Sequence, residues 1–155
     1  MKRLFLLFTH VVSLAIGFAL GIYALPIVIQ PPSPDVNDVQ RITDHALYTG
    51  TFQRDRKDSD LLHWGEGSLS ISEDHVAFIG ELAPGPDYRL YFSPNFIETE
   101  QGFTAIKHQM VEVGEVKNFD RFMLVLPSEF PLEQYNTVVV WCETFGQFIT
   151  SARYR

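Results

Sequence analysis

The stretch "GSLSISE", Gly67–Glu73, alternates strictly, and that alternation decides the fold. Leu69 and Ile71 fall on one side of an extended chain and the serines on the other, as in a strand with one face in a core. Outward from it come short runs rich in aromatic and β-branched residues: "HVAFIG" from His75, "YRLYFS" from Tyr88, "RFMLVL" from Arg121, "TVVVWC" from Thr137 and "FITSARY" from Phe148. A first strand is expected over Leu47–Gln53. Turn signals separate the runs at Ser72-Glu73-Asp74, Pro84-Gly85-Pro86-Asp87, Ser93-Pro94-Asn95 and Pro127 through Pro131. No segment after residue 48 shows helical periodicity. The expectation is an all-β domain, an antiparallel β-sandwich of about eight strands of the Ig-like kind, with a Phe-rich core.

The chain has 155 residues, 46% of them apolar and 20% charged, enough for one domain with its own core. Its formal net charge is −7, no acid precedes Asp35, and removing Lys2 and Arg3 leaves the remainder at −9. Such a surface repels phosphates, which excludes nucleic acid as a partner. There is no Gly-rich phosphate loop, no nucleophile elbow and no His pair at i, i+4. His45, His63, His75 and His108 are scattered over separate segments, and no metal site is expected. An ordinary hydrolytic enzyme is not supported.

Leu4–Leu25 carries no charge in 22 residues. As a helix it would be roughly 33 Å long, against about 30 Å of bilayer hydrocarbon. Lys2 and Arg3 place the N-terminus on the cytoplasmic side and the domain outside, periplasmic or at the cell surface. The run is longer than the apolar region of a cleaved signal peptide, and "IYALPIVIQPP" offers no convincing cleavage site, so an uncleaved signal anchor is expected. No cysteine follows it to carry a lipid. Lipid is thus a partner through residues 4–25. Ser13, Gly17 and Gly21 fall four apart and would let two such helices pair, although Gly is common in membrane helices. The expected organisation is a cytoplasmic stub and anchor over 1–29, a Pro-rich stalk over 30–46 and the sandwich over 47–155. A short helix within 35–46 is suggested by Val36, Val39 and Ile42. The short anchor and compact domain have a bacterial look.

Cys142 is the only cysteine. On a strand it shares a face with Val138 and Val140, while Val139 and Trp141 take the other. Both faces are apolar, so the strand is expected to be central, with Cys142 buried near the rim. Three readings stay open for the thiol: a small core hydrophobe, an intermolecular disulfide, or a redox or cofactor-binding group. Trp141 could shield a cofactor or simply pack the opposite face. Asp87 could bias a nearby thiol or a ligand, or it could close the turn and start the strand.

Tyr48–Tyr154 resembles the DM-thirteen domain, an electron-transfer-type module found with DOMON domains in surface proteins. The features run in order: "YTGTF", "HWGEGSLSIS", the Gly-Pro-Asp turn of "GPDYRLYFS", and "VVVWCETFGQFITSARY" with its Trp-Cys pair. The resemblance implies a DOMON-like sandwich on a membrane anchor. It also implies a redox role for Cys142, as a bare thiol or as a ligand to a group such as haem. The chain has no C-x-x-C-H for covalent haem attachment. One departure is Phe148-Ile149-Thr150-Ser151-Ala152, which puts Ile where the family usually has Gly and would crowd a cofactor there. Two functions follow: an electron-transfer module with an unidentified redox partner, or a non-catalytic module binding an envelope protein, with Cys142 in the core.

Overall fold

A computed structural model describes residues 1–155. Eight antiparallel strands form two four-stranded sheets, and a long apolar helix precedes them. The helices are α1 (Lys2–Ile29), α2 (Val36–Asp44) and α3 (Glu100–Ile106). The strands are β1 (Tyr48–Phe52), β2 (Gly65–Ile71), β3 (His75–Leu82), β4 (Tyr88–Ser93), β5 (Val111–Val116), β6 (Arg121–Val125), β7 (Thr137–Cys142) and β8 (Gln147–Arg153). One sheet runs β1-β2-β3-β6 and the other β5-β4-β7-β8.

The inner faces of the sheets share one core. Phe52, Leu69, Ile71, Val76 and Phe78 come from the first sheet, and Leu90, Phe92, Val138 and Val140 from the second, all fully buried. Rings interlock through it, with Phe78 stacked on Phe122 at 5.1 Å between centroids and Phe92 edge-on to Phe130 at 4.9 Å. Each buried Phe contributes about 1.5–3 kcal/mol relative to exposure. Leu69 and Ile71 face inward as their alternation requires. Of the serines opposite, Ser68 faces water, but Ser70 and Ser72 are both buried. Helix α2 lies over that side, burying Val39 and pairing Thr43 Oγ1 with Ser70 Oγ at 3.1 Å.

Two features escape a periodicity reading. Helix α3 is only seven residues long, too short to show a period, and is started by Thr99, whose hydroxyl accepts the Gly102 N–H at 3.0 Å. It covers the outer face of the second sheet, where Phe103 stacks on Trp141 at 4.0 Å. Strand β5 is the eighth strand, absent from the runs named above. The register shifts where Leu90 pairs with Gly114 but Tyr91 with Glu112, leaving Val113 as an extra residue. Its inward set is therefore Val111, Val113 and Val116, with broken alternation.

Helix α1 is 28 residues long with a mean hydropathy of 2.3 over its most apolar window and no residue of it buried, so it is long and apolar enough to cross a membrane. Gly17 and Gly21 face open space. The segment after it lies against the sandwich. Asn118 Nδ2 donates to Pro31 O at 2.6 Å, Arg121 Nε to Pro34 O at 3.2 Å, and Ser33 Oγ to Asp120 Oδ1 at 2.5 Å.

Candidate functional site: the end of the sandwich around Cys142

Strand β7 is central and buried at every position, with β4 on one side and β8 on the other. Val138, Val140 and Cys142 belong to the inner core, while Val139 and Trp141 belong to the outer cluster under α3. The period-2 reading of this strand therefore holds on both faces. Cys142 ends the strand opposite Tyr88 of β4 and Gln147 of β8, and is 2% exposed.

Two turns close over the sulfur. In the first, Pro84-Gly85-Pro86-Asp87, the Pro86 carbonyl accepts the Cys142 Sγ–H at 3.0 Å. In the second, Glu143–Gly146, the backbone amides of Phe145 and Thr144 favour charge on the sulfur. Burial pushes the Cys142 thiol up from its ordinary value. The two amides oppose that shift, and the charges of Asp87 and Glu143 add to it. The net result is a thiol that stays protonated at neutral pH.

Asp87 joins the two turns. Its backbone lies in the left-handed region at φ 55, which Asp tolerates better than most residues. Its carbonyl accepts the Glu143 N–H at 3.1 Å, and its Oδ2 accepts the Thr144 hydroxyl at 3.0 Å. Oδ1 takes two N–H groups from Arg89, at 3.0 and 3.1 Å. Arg89 also reaches Glu112 at 3.3 Å and Glu115 at 3.1 Å, so one guanidinium ties the turn to the acidic edge strand β5. Asp87 is thus both a turn residue and a neighbour of the thiol.

The residue that sequence reading missed is Tyr88. Its ring is buried, its hydroxyl donates to Ala83 O at 2.9 Å, and its edge meets Phe119 at 6.0 Å. Burial pushes its phenol well above the ordinary range. Gly85 makes room for it, since a Cβ there would sit 2.4 Å from the Tyr88 hydroxyl oxygen. Its place between the Gly-Pro-Asp turn and the alternating strand was the available signal. Trp141, by contrast, is separated from the sulfur by the sheet itself and packs on Phe103.

On the outer face, Tyr91 is 4% exposed and donates to Glu143, with Glu112 Oε2 also 3.0 Å from its hydroxyl. Lys107 Nζ clamps Glu143 at 2.6 and 2.7 Å. Burial pushes Glu143 up, but the hydrogen bonds from Lys107 and Tyr91 outweigh it and hold the carboxyl below its ordinary value.

Beyond the two turns, a cavity of about 630 Å³ separates this end of the sandwich from the C-terminal part of α1. Pro86, Tyr88 and Thr144 form its floor, and Ile22, Leu25 and Ile29 its far wall. The sulfur lies one layer beneath that floor and does not line the cavity. A haem with Cys142 as axial ligand does not fit this arrangement. The sulfur is covered, its hydrogen is engaged by Pro86, and no His or Met lines the cavity to supply a second ligand. Ile149, the residue that departs from the family pattern, is the extra residue of a bulge in β8 and fills the core at 0% exposure.

Residues 51–154 match the family model described as electron transfer DM13. The match spans well over half of the chain, and the chain belongs to that family. No curated protein and no solved structure matches it.

Proposed function

We propose that this member of the electron transfer DM13 family is a membrane-tethered redox domain whose working group is the bare thiol of Cys142, held outside the cytoplasm. The observation that carries the reading is the donor and acceptor set around the sulfur. A cysteine that only fills space needs no polar partners, yet here a carbonyl accepts its S–H at 3.0 Å, and the amides of Phe145 and Thr144 favour charge on the sulfur. Burial keeps the thiol protonated, so electron and proton leave together. The S–H bond breaks, the electron passes to a one-electron acceptor on an envelope partner protein, the proton passes to water, and a thiyl radical remains until a one-electron donor on a second partner protein and a proton from water restore the S–H. The basic pair Lys2 and Arg3 at the start of α1 supports the outward placement of the domain.

A second reading rests on the same burial. Cys142 is a member of the inner core and does not line the cavity, which suits a packing residue in a non-catalytic module that binds an envelope partner. Voltammetry of the full chain in detergent separates the two. A one-electron wave present in the wild type and absent from Cys142→Ser supports the redox reading. Identical traces for both proteins, with the fold intact, overturn it and leave the interaction module. Protease protection in intact spheroplasts and in inverted vesicles checks the placement of the domain.

A further inference from the structure

The cavity between α1 and the sandwich joins two environments. Its far wall is the apolar face of Ile22, Leu25 and Ile29, from a helix long enough to cross a membrane. Its near side carries the rings of Tyr88, Phe119 and Phe145, and its polar side chains are Gln30, Asp87, Glu115, Lys117 and Thr144. The volume of about 630 Å³ falls among those of small-molecule sites, roughly 300–1,000 Å³. With α1 in a bilayer the opening lies at the level where the helix leaves the hydrocarbon, so an occupant can enter from the lipid without crossing water.

Charge decides between bilayer amphiphiles. The ionised groups on the lining are Asp87, Glu115 and Lys117, a net −1. The single cation is already paired with Glu115. A phosphate headgroup would meet an excess of carboxylate and find no free cation, which disfavours a phospholipid. A neutral, flat ring headgroup meets no such opposition. Lys117 has ammonium N–H groups left over from its ion pair to give to a carbonyl oxygen. Thr144 donates its own hydrogen to Asp87, so its oxygen is left to accept a hydroxyl. Exposed Phe145 and half-buried Phe119 offer rings against which a flat headgroup packs.

We propose that this cavity binds the headgroup of a lipophilic quinone or quinol, with its polyprenyl tail running out along Ile22 and Leu25. The choice of a redox-active class rests on the electron-transfer reading, while the binding itself makes no use of Cys142. The cavity floor is nonetheless the roof of the thiol. Pro86 supplies both a wall of the cavity and the acceptor of the S–H, and Tyr88 lines the cavity while pairing across the strands with Cys142.

The test uses the full chain in lipid nanodiscs and ubiquinone-1 as the probe, with equilibrium dialysis against empty nanodiscs to subtract partitioning. Saturable binding of about one probe per chain is expected. Phe145→Ser and Lys117→Met, both at exposed positions, should each weaken it at least about fivefold, and Cys142→Ser should leave it unchanged. Uptake that never exceeds that of empty nanodiscs, or that ignores both lining variants, overturns the proposal. Displacement of the probe by added phosphatidylglycerol at stoichiometric levels also overturns it, in favour of a lipid headgroup site. Because the voltammetric wave and the probe binding are separate readouts, loss of the wave in Cys142→Ser with binding intact leaves the two conclusions distinguishable.

Discussion

Asp87 gives the sharpest test of how the two turns are held over the thiol. Three substitutions separate its backbone role from its side-chain role. Asp87→Asn keeps a residue type at ease in the left-handed region and retains an acceptor for Thr144, but loses the charge facing Arg89. The Arg89 pair is about one-third exposed and Arg89 keeps Glu112 and Glu115, so the loss should be about 0.5–1 kcal/mol. Asp87→Gly keeps the backbone conformation and removes every side-chain bond. Adding the Thr144 bond, worth about 1 kcal/mol because that hydroxyl can turn to water, gives a total of about 1.5–2 kcal/mol. Asp87→Ala removes the same bonds and forces a Cβ-bearing residue into φ 55, adding about 1–2 kcal/mol. The order of stability is therefore wild type, Asn, Gly, Ala. Thermal unfolding of the full chain in detergent, followed by near-ultraviolet circular dichroism, measures it. Alkylation of the folded protein should quicken in the same order as the roof over Cys142 loosens. An alanine variant no less stable than the glycine one would refute the left-handed turn as the element that holds the site.

The pH profile offers a second check. With its folded pKa raised, Cys142 contributes stability that is fully present below its ordinary value of 9.0 and is lost as pH rises through the higher folded value. Cys142→Ala should abolish that alkaline loss while costing about 1 kcal/mol for the vacated volume. Glu143 works in the opposite sense: its folded pKa is depressed, so its stability is present above the ordinary 4.5 and lost as pH falls through the folded value. Acid titration of Lys107→Met should show a shallower decline. Trp141→Ala should cost about 3–5 kcal/mol by unstacking Phe103, measured by denaturant unfolding, and leave any Cys142-dependent wave in place. Gly67→Ala should destabilise by more than about 1 kcal/mol in the same assay, because φ is +143 there and a Cβ would sit 2.4 Å from Ile79 O.

The legible part of this protein is the part governed by a two-residue period. Val138 to Cys142 alternate between two apolar faces, and the structure buries both. Leu69 and Ile71 point inward for the same reason. Where a bulge inserts a residue, as at Val113 and Ile149, the period breaks: β5 went unnamed, and the place of Ile149 could not be fixed. Helix α3 was hidden by its length, since a single turn with Phe103 inward has no repeat to read. The covered serine face of β2 depends on where α2 lands, which is tertiary and unwritten in either segment. At the site, Cys142 and Asp87 stood out by type and by turn chemistry. That one lies beneath the other's turn, with Tyr88 between strand and cavity, is a consequence of β4 pairing with β7 across the 43 residues of chain between them.

The segment that follows α1 sets how this domain meets other molecules. Left free, residues 30–46 would reach up to roughly 55–60 Å when extended, and the domain would sweep a wide volume above the bilayer. Bonded to Asn118, Asp120 and Arg121, and continued by a helix packed on the sheet, the same residues hold the domain close to the point where α1 ends. On the proposed reading, a domain held this close to the bilayer meets partners by how many share its patch of membrane more than by how many are dissolved above it. If electron exchange runs as proposed with an anchored partner, dilution of that partner in excess lipid should slow it, while dilution of the aqueous phase should not.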